Sequence, residues 1–284
     1  MNPISILTDG TVQFPVPTFE GRRLVHRISM HTQVGGDFYE NSEGIKAGVF
    51  PMTIVNDFSH QIIPPSVKDF EAMLANLTSH YDEVLVILHS NDLSDTFKNA
   101  EKAVEVIQGQ SRIKVIDAGT TAIGLGLVVQ EAAKAAEAGG QAAEIEEMIR
   151  SLLSRVYSVF CIEGLTYLKH SGYLGEAQSY VGEFLKMLPV FTLDNGRLNP
   201  TQKARNYRHL VDILHEFLFE FEHIEHIAFL QGVPPFENET KALRERIALD
   251  FAGTTISEHI ISTPLAGIIG PRSLGMFVLQ NEEE

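Results

Sequence analysis

The run Val84-Leu-Val-Ile-Leu88 constrains this chain more than any other stretch. It holds five apolar residues with no polar alternation, the pattern of a strand covered on both faces. Such strands belong to parallel sheets flanked by helices. The surroundings agree. Residues 66–81 carry Val67, Phe70, Met73, Leu74 and Leu77 at helical spacing. Ser66, with Asp69 three residues on and Pro64-Pro65 before it, predicts a capped helix start. After Leu88 a polar loop, 89–95, leads into a helix reaching about residue 108. Residues 113–117 predict another strand and 121–138 another helix. Residues 4–8 predict an opening strand, and 52–55 form a further apolar run. Strand, helix, strand, helix implies right-handed βαβ crossovers and an α/β parallel sheet.

From about residue 156 the pattern changes. Short strands are expected at 159–162, 190–193, 227–230, 254–261 and 276–279, with helices at 176–188, 203–222 and 238–250 between them. The chain therefore divides into an N-terminal domain, 1–155, and a C-terminal α+β domain, 156–284. Its 284 residues suffice for two cores.

Composition narrows the functions. Asp and Glu total 37 against 22 Lys and Arg, a net charge of −15 that repels phosphate backbones and anionic membranes. Nucleic acid is not an expected partner. No apolar run is long enough to span a bilayer, so no membrane insertion is expected. The opening residues lack a basic segment followed by an apolar one, so no signal peptide is expected. One cysteine, Cys161, allows neither an internal disulfide nor a multi-cysteine metal site. Together these point to a cytoplasmic protein. Cys161 lies in an apolar strand pattern, which suits an inert core thiol.

Ligands of open parallel sheets bind beyond the carboxyl ends of the strands. Three such ends are Thr8-Asp9-Gly10-Thr11, residues 89–96, and Asp117-Ala118-Gly119-Thr120-Thr121. All are rich in small polar side chains. Ser94 is placed to cap the following helix, and Asp9 to hold its own turn. Ser90 and Asn91 precede the cap and are freer to meet a ligand, with Thr121 on the neighbouring loop. The segment 60–65 is expected to be a loop outside helix and strand. Ile62 and Ile63 there either pack on the body of the protein or line a ligand pocket.

Several catalytic signatures are absent from the sequence. There is no Gly-x-x-x-x-Gly-Lys-Ser/Thr loop and no His-Glu-x-x-His. His223 and His226 have no visible third partner, and no cofactor is expected. Gly124 and Gly126 lack the third glycine of a dinucleotide site and suit close helix packing. Without a Gly-x-Ser-x-Gly turn, a hydrolase on Ser90 or Ser94 with His89 is not expected. The apolar stripe Leu210, Ile213, Leu214, Phe217, Leu218 and Phe221 has ordinary core spacing.

A set of stretches resembles the DegV family, in order and over nearly the whole chain. They are Ile6-Leu-Thr-Asp-Gly-Thr11, Pro65-Ser66, Leu93-Ser-Asp-Thr96, Val115-Ile-Asp117 and Gly124-Leu-Gly126. Leu165-Thr-Tyr-Leu-Lys-His-Ser-Gly172, Phe184-Leu-Lys-Met-Leu-Pro189, Asp194-Asn-Gly196 and Gly270-Pro271 follow. The resemblance implies an N-terminal doubly wound parallel-sheet domain and a C-terminal α/β domain with a mixed sheet. It also implies non-enzymatic binding of a long-chain fatty acid in a tunnel near the domain junction, with presentation to a fatty acid kinase. Against the family pattern, Ile62 and Ile63 stand where Thr-Ser is usual, Asn91 replaces the second of two serines, Ile268 replaces a histidine, and Tyr173 replaces an arginine. Ser90 and Arg205 are kept. The expected ligand residues are thus Ile62, Ile63, Ser90, Asn91, Ser94, Thr121, Arg205 and Ile268. The head site either holds a carboxylate through Ser90 and Asn91 or takes a neutral lipid. The alternative is an interaction module of the same fold that has lost lipid binding.

Overall fold

The computed structural model describes residues 4–52, 54, 59–107, 112–163, 165–175 and 188–281. The helix expected at 176–188, all but its last residue, lies outside them, as do Thr53 and Val55 of the early apolar run.

Strand β1 (Ile4–Asp9) is buried at every residue. It lies between β2 (Val25–Ile28) and β6 (Glu83–Leu88), and β7 (Ile113–Asp117) completes a sheet ordered β2-β1-β6-β7. All three pairings are parallel. Side chains alternate between the faces, as strand geometry requires. Leu7, Val84, Val86 and Leu88 pack on Phe70, Leu74 and Leu77 of α1 (Val67–His80) and on Ala100 and Ala103 of α2 (Thr96–Val106). Ile6, Leu85, Ile87 and Ile116 face the other way, toward α3 (Ala122–Glu137). Ser66 caps α1 as expected: its hydroxyl accepts the Asp69 N–H, and the Asp69 carboxylate accepts the Ser66 N–H.

A small antiparallel sheet, β4-β3-β5, sits beside these layers. It comprises β3 (His31–Val34), β4 (Asp37–Tyr39) and β5 (His60–Ile63). This corrects the expected loop at 60–65. Thr32 pairs with Ile62 and His31 with Ile63. The strand is short and its partner distant in sequence, and Pro64 ends it.

Helix α3 is buried nearly all round because it serves two sheets. One is the parallel sheet. The other has six strands, β8 (Val156–Ile162), β9 (Leu188–Asp194), β10 (Arg197–Ala204), β11 (Ile224–Gln231), β12 (Thr255–Ile260) and β13 (Ser273–Gln280), in the order β10-β9-β8-β13-β11-β12. Only β11-β12 is parallel, so the sheet is mixed. Phe160, Ile162, Ala228, Leu230 and Phe277 share one core with α3. The opposite face, Val159, Cys161, Ile227, Phe229 and Met276, forms a separate core. There it meets the stripe Leu210, Ile213, Leu214 and Leu218. Gly124 and Gly126 are packing glycines: a Cβ on Gly126 would lie 2.0 Å from the Gln13 carbonyl oxygen.

Further helices are α4 (Ala142–Leu153), α5 (Leu165–His170), α6 (Tyr207–Leu218), α7 (Glu237–Asp250) and α8 (Thr263–Ile269). Helix α8 is buried throughout and packs on α5 and β5, where the two-sheet core meets the small antiparallel sheet.

Candidate functional site

The ends of β1 and β6 meet because the two strands run parallel in register, Leu7 opposite Val86. Asp9 thereby reaches the loop after Leu88. Its Oδ2 accepts the His89 N–H at 2.7 Å. Its Oδ1 accepts the Thr11 N–H at 2.9 Å and the Thr11 hydroxyl at 2.7 Å. The turn expected of Asp9 is thus present. His89 Nδ1 lies 3.0 Å from the same Oδ1, both side chains being fully buried. Burial opposes charge on Asp9, yet His89 beside it and the hydrogen bonds from His89 and Thr11 together hold its carboxyl below the usual range.

On the far side of the ring, His89 Nε2 is 2.7 Å from Ser94 Oγ. That oxygen also accepts the Thr96 N–H at 3.2 Å and lies 2.7 Å from Thr96 Oγ1. Asp95, not Ser94, is the N-cap of α2, and its side chain makes no capping bond. The Ser94 hydroxyl is shared between His89 and Thr96 one residue before the cap.

Ser94 opens on a cavity of about 410 Å3 whose walls come from four stretches of chain. β5 gives His60, Gln61 and Ile62, with Pro64 after it. The loop after β6 gives Leu93, Ser94 and Asp95. The end of α5 gives His170, with Ser171 after it, and α8 gives Gly267 and Ile268. Ile62 presses against α8: a Cβ on Gly267 would lie 2.3 Å from its Cδ1. His60 Nε2 lies 3.1 Å from the Gly267 carbonyl oxygen, and its ring centroid is 4.7 Å from Tyr167 and 5.2 Å from His170. Burial, then the nearby His170, bring the His60 imidazole down to about 4. His60, His170 and Ser171 escape a reading from sequence, because β5 has no local signature and α5 is a short helix. The family stretch Leu165 to Gly172 is the signal that could have found the last two.

Of the expected ligand residues, the structure gathers Ile62, Ser94 and Ile268 round this cavity. Ile63 is next along β5, half-buried, and does not line it. Ser90 is fully buried and turned elsewhere: its hydroxyl donates to the Gly196 carbonyl at 2.6 Å, anchoring the β9-β10 turn. Asn91 donates its N–H to the Asp117 carboxylate at 3.3 Å. Thr121 is buried at the start of α3, its hydroxyl without a hydrogen-bond partner among the described residues. Arg205 is exposed and lines a different hollow with Arg208, His209 and Asp212. Tyr173, where the family has arginine, donates its hydroxyl to the Asp92 carbonyl. Among the described residues no cluster of His, Cys, Asp and Glu could hold a metal, and no helix is long and apolar enough to cross a membrane.

Comparison with known proteins decides the family. The profile described as "Uncharacterised protein, DegV family" matches residues 3–281. The chain belongs to the DegV family. It is 24% identical over 287 aligned positions to a DegV domain-containing protein of Caldanaerobacter subterraneus, covering 98% of this chain and 99% of that one. A DegV family protein of Thermus thermophilus, described for its fatty acid binding, superposes with a TM-score of 0.81 at 25% identity, over 98% of this chain and all of that one. The fatty acid kinase B3 protein of Streptococcus pneumoniae, solved loaded with linoleic acid, superposes with a TM-score of 0.82 at 17% identity, over 98% and 100%. The parallel N-terminal sheet and mixed C-terminal sheet are thus those of DegV structures.

Proposed function

We propose that this DegV protein binds a long-chain fatty acid or a neutral lipid carrying the same chain, with the polar end at the Ser94 cavity. One observation carries the reading: Ile62, Ser94 and Ile268, from three distant stretches, line one cavity of a size that suits a small ligand. The fatty-acid-binding relative of like fold supports it. Each buried methylene contributes about 0.8 kcal/mol, so ten give roughly 8 kcal/mol before ordering costs. A hydrogen bond to a charged head adds about 1.5–3 kcal/mol. The chain dominates affinity, and isoleucine at 62 and 268 is compatible with binding. Binding alone requires no catalytic step.

The finer part of the proposal is delivery of the bound acid to a fatty acid kinase in the cytoplasm, supported by the likeness to the kinase B3 protein. The division at residue 156 belongs with it: the strands of the parallel sheet all precede that point, and those of the mixed sheet all follow it. A second reading, an interaction module without lipid, draws on the packing of Ile62 against Gly267, which fills part of the site.

Native mass spectrometry of the purified protein, followed by denaturing extraction, tests the proposal. One fatty acid per chain supports it in its first form, and a neutral lipid in its second. A protein that is empty and takes up no added fatty acid or ester is the interaction module.

A further inference from the structure

Lipid binding leaves Asp9 and His89 unused. With Ser94 they stand in line as carboxylate, imidazole and hydroxyl, at 3.0 and 2.7 Å. Asp9 and His89 are fully buried, and Ser94 alone reaches the cavity. An ionised carboxylate only accepts hydrogen bonds, so its charge favours the ring proton on Nδ1, although the 3.0 Å approach lacks the angle of a hydrogen bond. Nε2 then presents its lone pair to Ser94 Oγ. That oxygen also accepts the Thr96 N–H and lies 2.7 Å from Thr96 Oγ1, so the Ser94 proton turns toward His89 when the Thr96 hydroxyl donates to Ser94. A serine kept only to satisfy Thr96 needs no imidazole behind it. A histidine kept only for packing needs no route to a cavity.

We propose that Ser94 is the nucleophile of an acyl-ester hydrolase site, with His89 as its general base and Asp9 as the positioning carboxylate. Such triads are defined by geometry and arise in any chain order, so the missing Gly-x-Ser-x-Gly turn does not weigh against this one. The substrate class is a neutral ester of a long-chain acid. That choice of chain rests on the acyl-binding reading above; the nucleophile does not.

The step balances without any cofactor. Ser94 Oγ attacks the ester carbonyl carbon as its proton passes to His89 Nε2. The tetrahedral adduct collapses, the bond to the leaving alcohol oxygen breaks, and His89 returns the proton to that oxygen. Water, deprotonated by His89, then attacks the acyl-serine, releasing the fatty acid and restoring the Ser94 hydroxyl. Helix α2 starts two residues past Ser94. Its first-turn N–H groups, Phe97 and Lys98 among them, have no carbonyl partner within the helix. A helix start carries the kind of positive pole that a developing oxyanion requires.

The test uses the full chain, a long-alkyl fluorophosphonate and p-nitrophenyl esters of graded acyl length. One phosphonyl adduct per chain, mapped to Ser94, is expected, with p-nitrophenolate release that grows with acyl length. His89→Gln should slow both by about a hundredfold or more. Should that variant not fold, Ser94→Ala carries the test by losing both adduct and turnover. A folded wild-type protein that takes up fatty acid but gives no Ser94 adduct overturns this inference and leaves the lipid reading standing. Labelling at Ser94 without uptake of fatty acid does the reverse.

Discussion

Replacing Gly267 by alanine puts a methyl group where Ile62 already is. The new Cβ would lie 2.3 Å from Ile62 Cδ1, 2.4 Å from its Cγ1 and 3.0 Å from Phe50 Cζ. In a helix interior the exchange should gain about 1 kcal/mol from backbone entropy. Overpacking costs about 1–3 kcal/mol. Because Cγ1 is not the free end of the side chain, Ile62 cannot simply swing aside, and the net effect should be a loss of roughly 1 kcal/mol. Removing Ile62 first changes the sign. Ile62→Ala alone, at a half-buried position, should cost near the low end of about 2–5 kcal/mol. In that background the nearest remaining contact is Phe50 Cζ at 3.0 Å, and Gly267→Ala should stabilise by roughly half a kcal/mol. Urea unfolding of the wild type, both single variants and the double variant gives a coupling of about 1–2 kcal/mol if the packing is as described. Effects that add within about 0.5 kcal/mol would refute the contact, and with it the placement of Ile62 at the cavity wall.

His60 titrates near 4 in the folded protein, below the 6.5 of a free imidazole. Its contribution is therefore complete above pH 6.5 and is lost as pH falls from 6.5 toward 4. After allowing for its partial exposure this amounts to about 1–2 kcal/mol, and His60→Gln should remove that part of the slope in urea midpoints between pH 7 and pH 4.5. Asp9→Asn removes the charge facing a buried histidine and turns a donor on its neighbours, and should cost about 3–5 kcal/mol in thermal or urea unfolding. A loss below 1 kcal/mol would show that the pair is not held as described. Cys161 is fully buried and burial pushes its thiol up, so alkylation of the native protein should proceed only at the rate of unfolding. Fast labelling of folded protein would contradict that burial.

Local chemistry made much of the fold legible. The apolar run of β6 announced a strand covered on both faces, Ser66 and Asp69 announced the start of α1, and Gly124 and Gly126 announced close packing. Elements that depend on distant partners were not legible. β5 is four residues long and exists because Thr32 pairs with Ile62. α4 follows two glycines, which mask the spacing of Ile145, Ile149 and Leu152. The site was legible in part. The rule that ligands meet the carboxyl ends of parallel strands pointed to residues 89–96, where Ser94 is found. It could not say that Ser90 would turn to Gly196, nor that Arg205 would lie in another hollow. The line from Asp9 to Ser94 depends on the register between β1 and β6, which no local pattern encodes.

That line also bears on which head group the cavity accepts. The buried group holds one negative charge, the Asp9 carboxylate, which is kept below the usual carboxylate range. A fatty-acid carboxylate seated on Ser94 would add a second, one imidazole away. At about 8 Å and an effective dielectric near 20, this repulsion is roughly 2 kcal/mol. Ile62 and Ile268 offer no donor in return and His60 is neutral at pH 7, which leaves Gln61 as a side-chain amide donor on the wall. A neutral ester avoids the repulsion and keeps the whole gain from its chain. Binding of a long-chain acid and of the matching methyl ketone, which cannot be hydrolysed, to the wild-type protein should therefore favour the neutral ligand or place the two within about tenfold. A preference for the acid of a hundredfold or more, about 2.7 kcal/mol, would mean that a donor to the carboxylate exceeds the repulsion from Asp9. The same charge argument gives the proposed hydrolysis a direction. The neutral substrate is favoured on entering, and the acid formed beside Asp9 is destabilised by the repulsion that the ester lacked, which favours its departure.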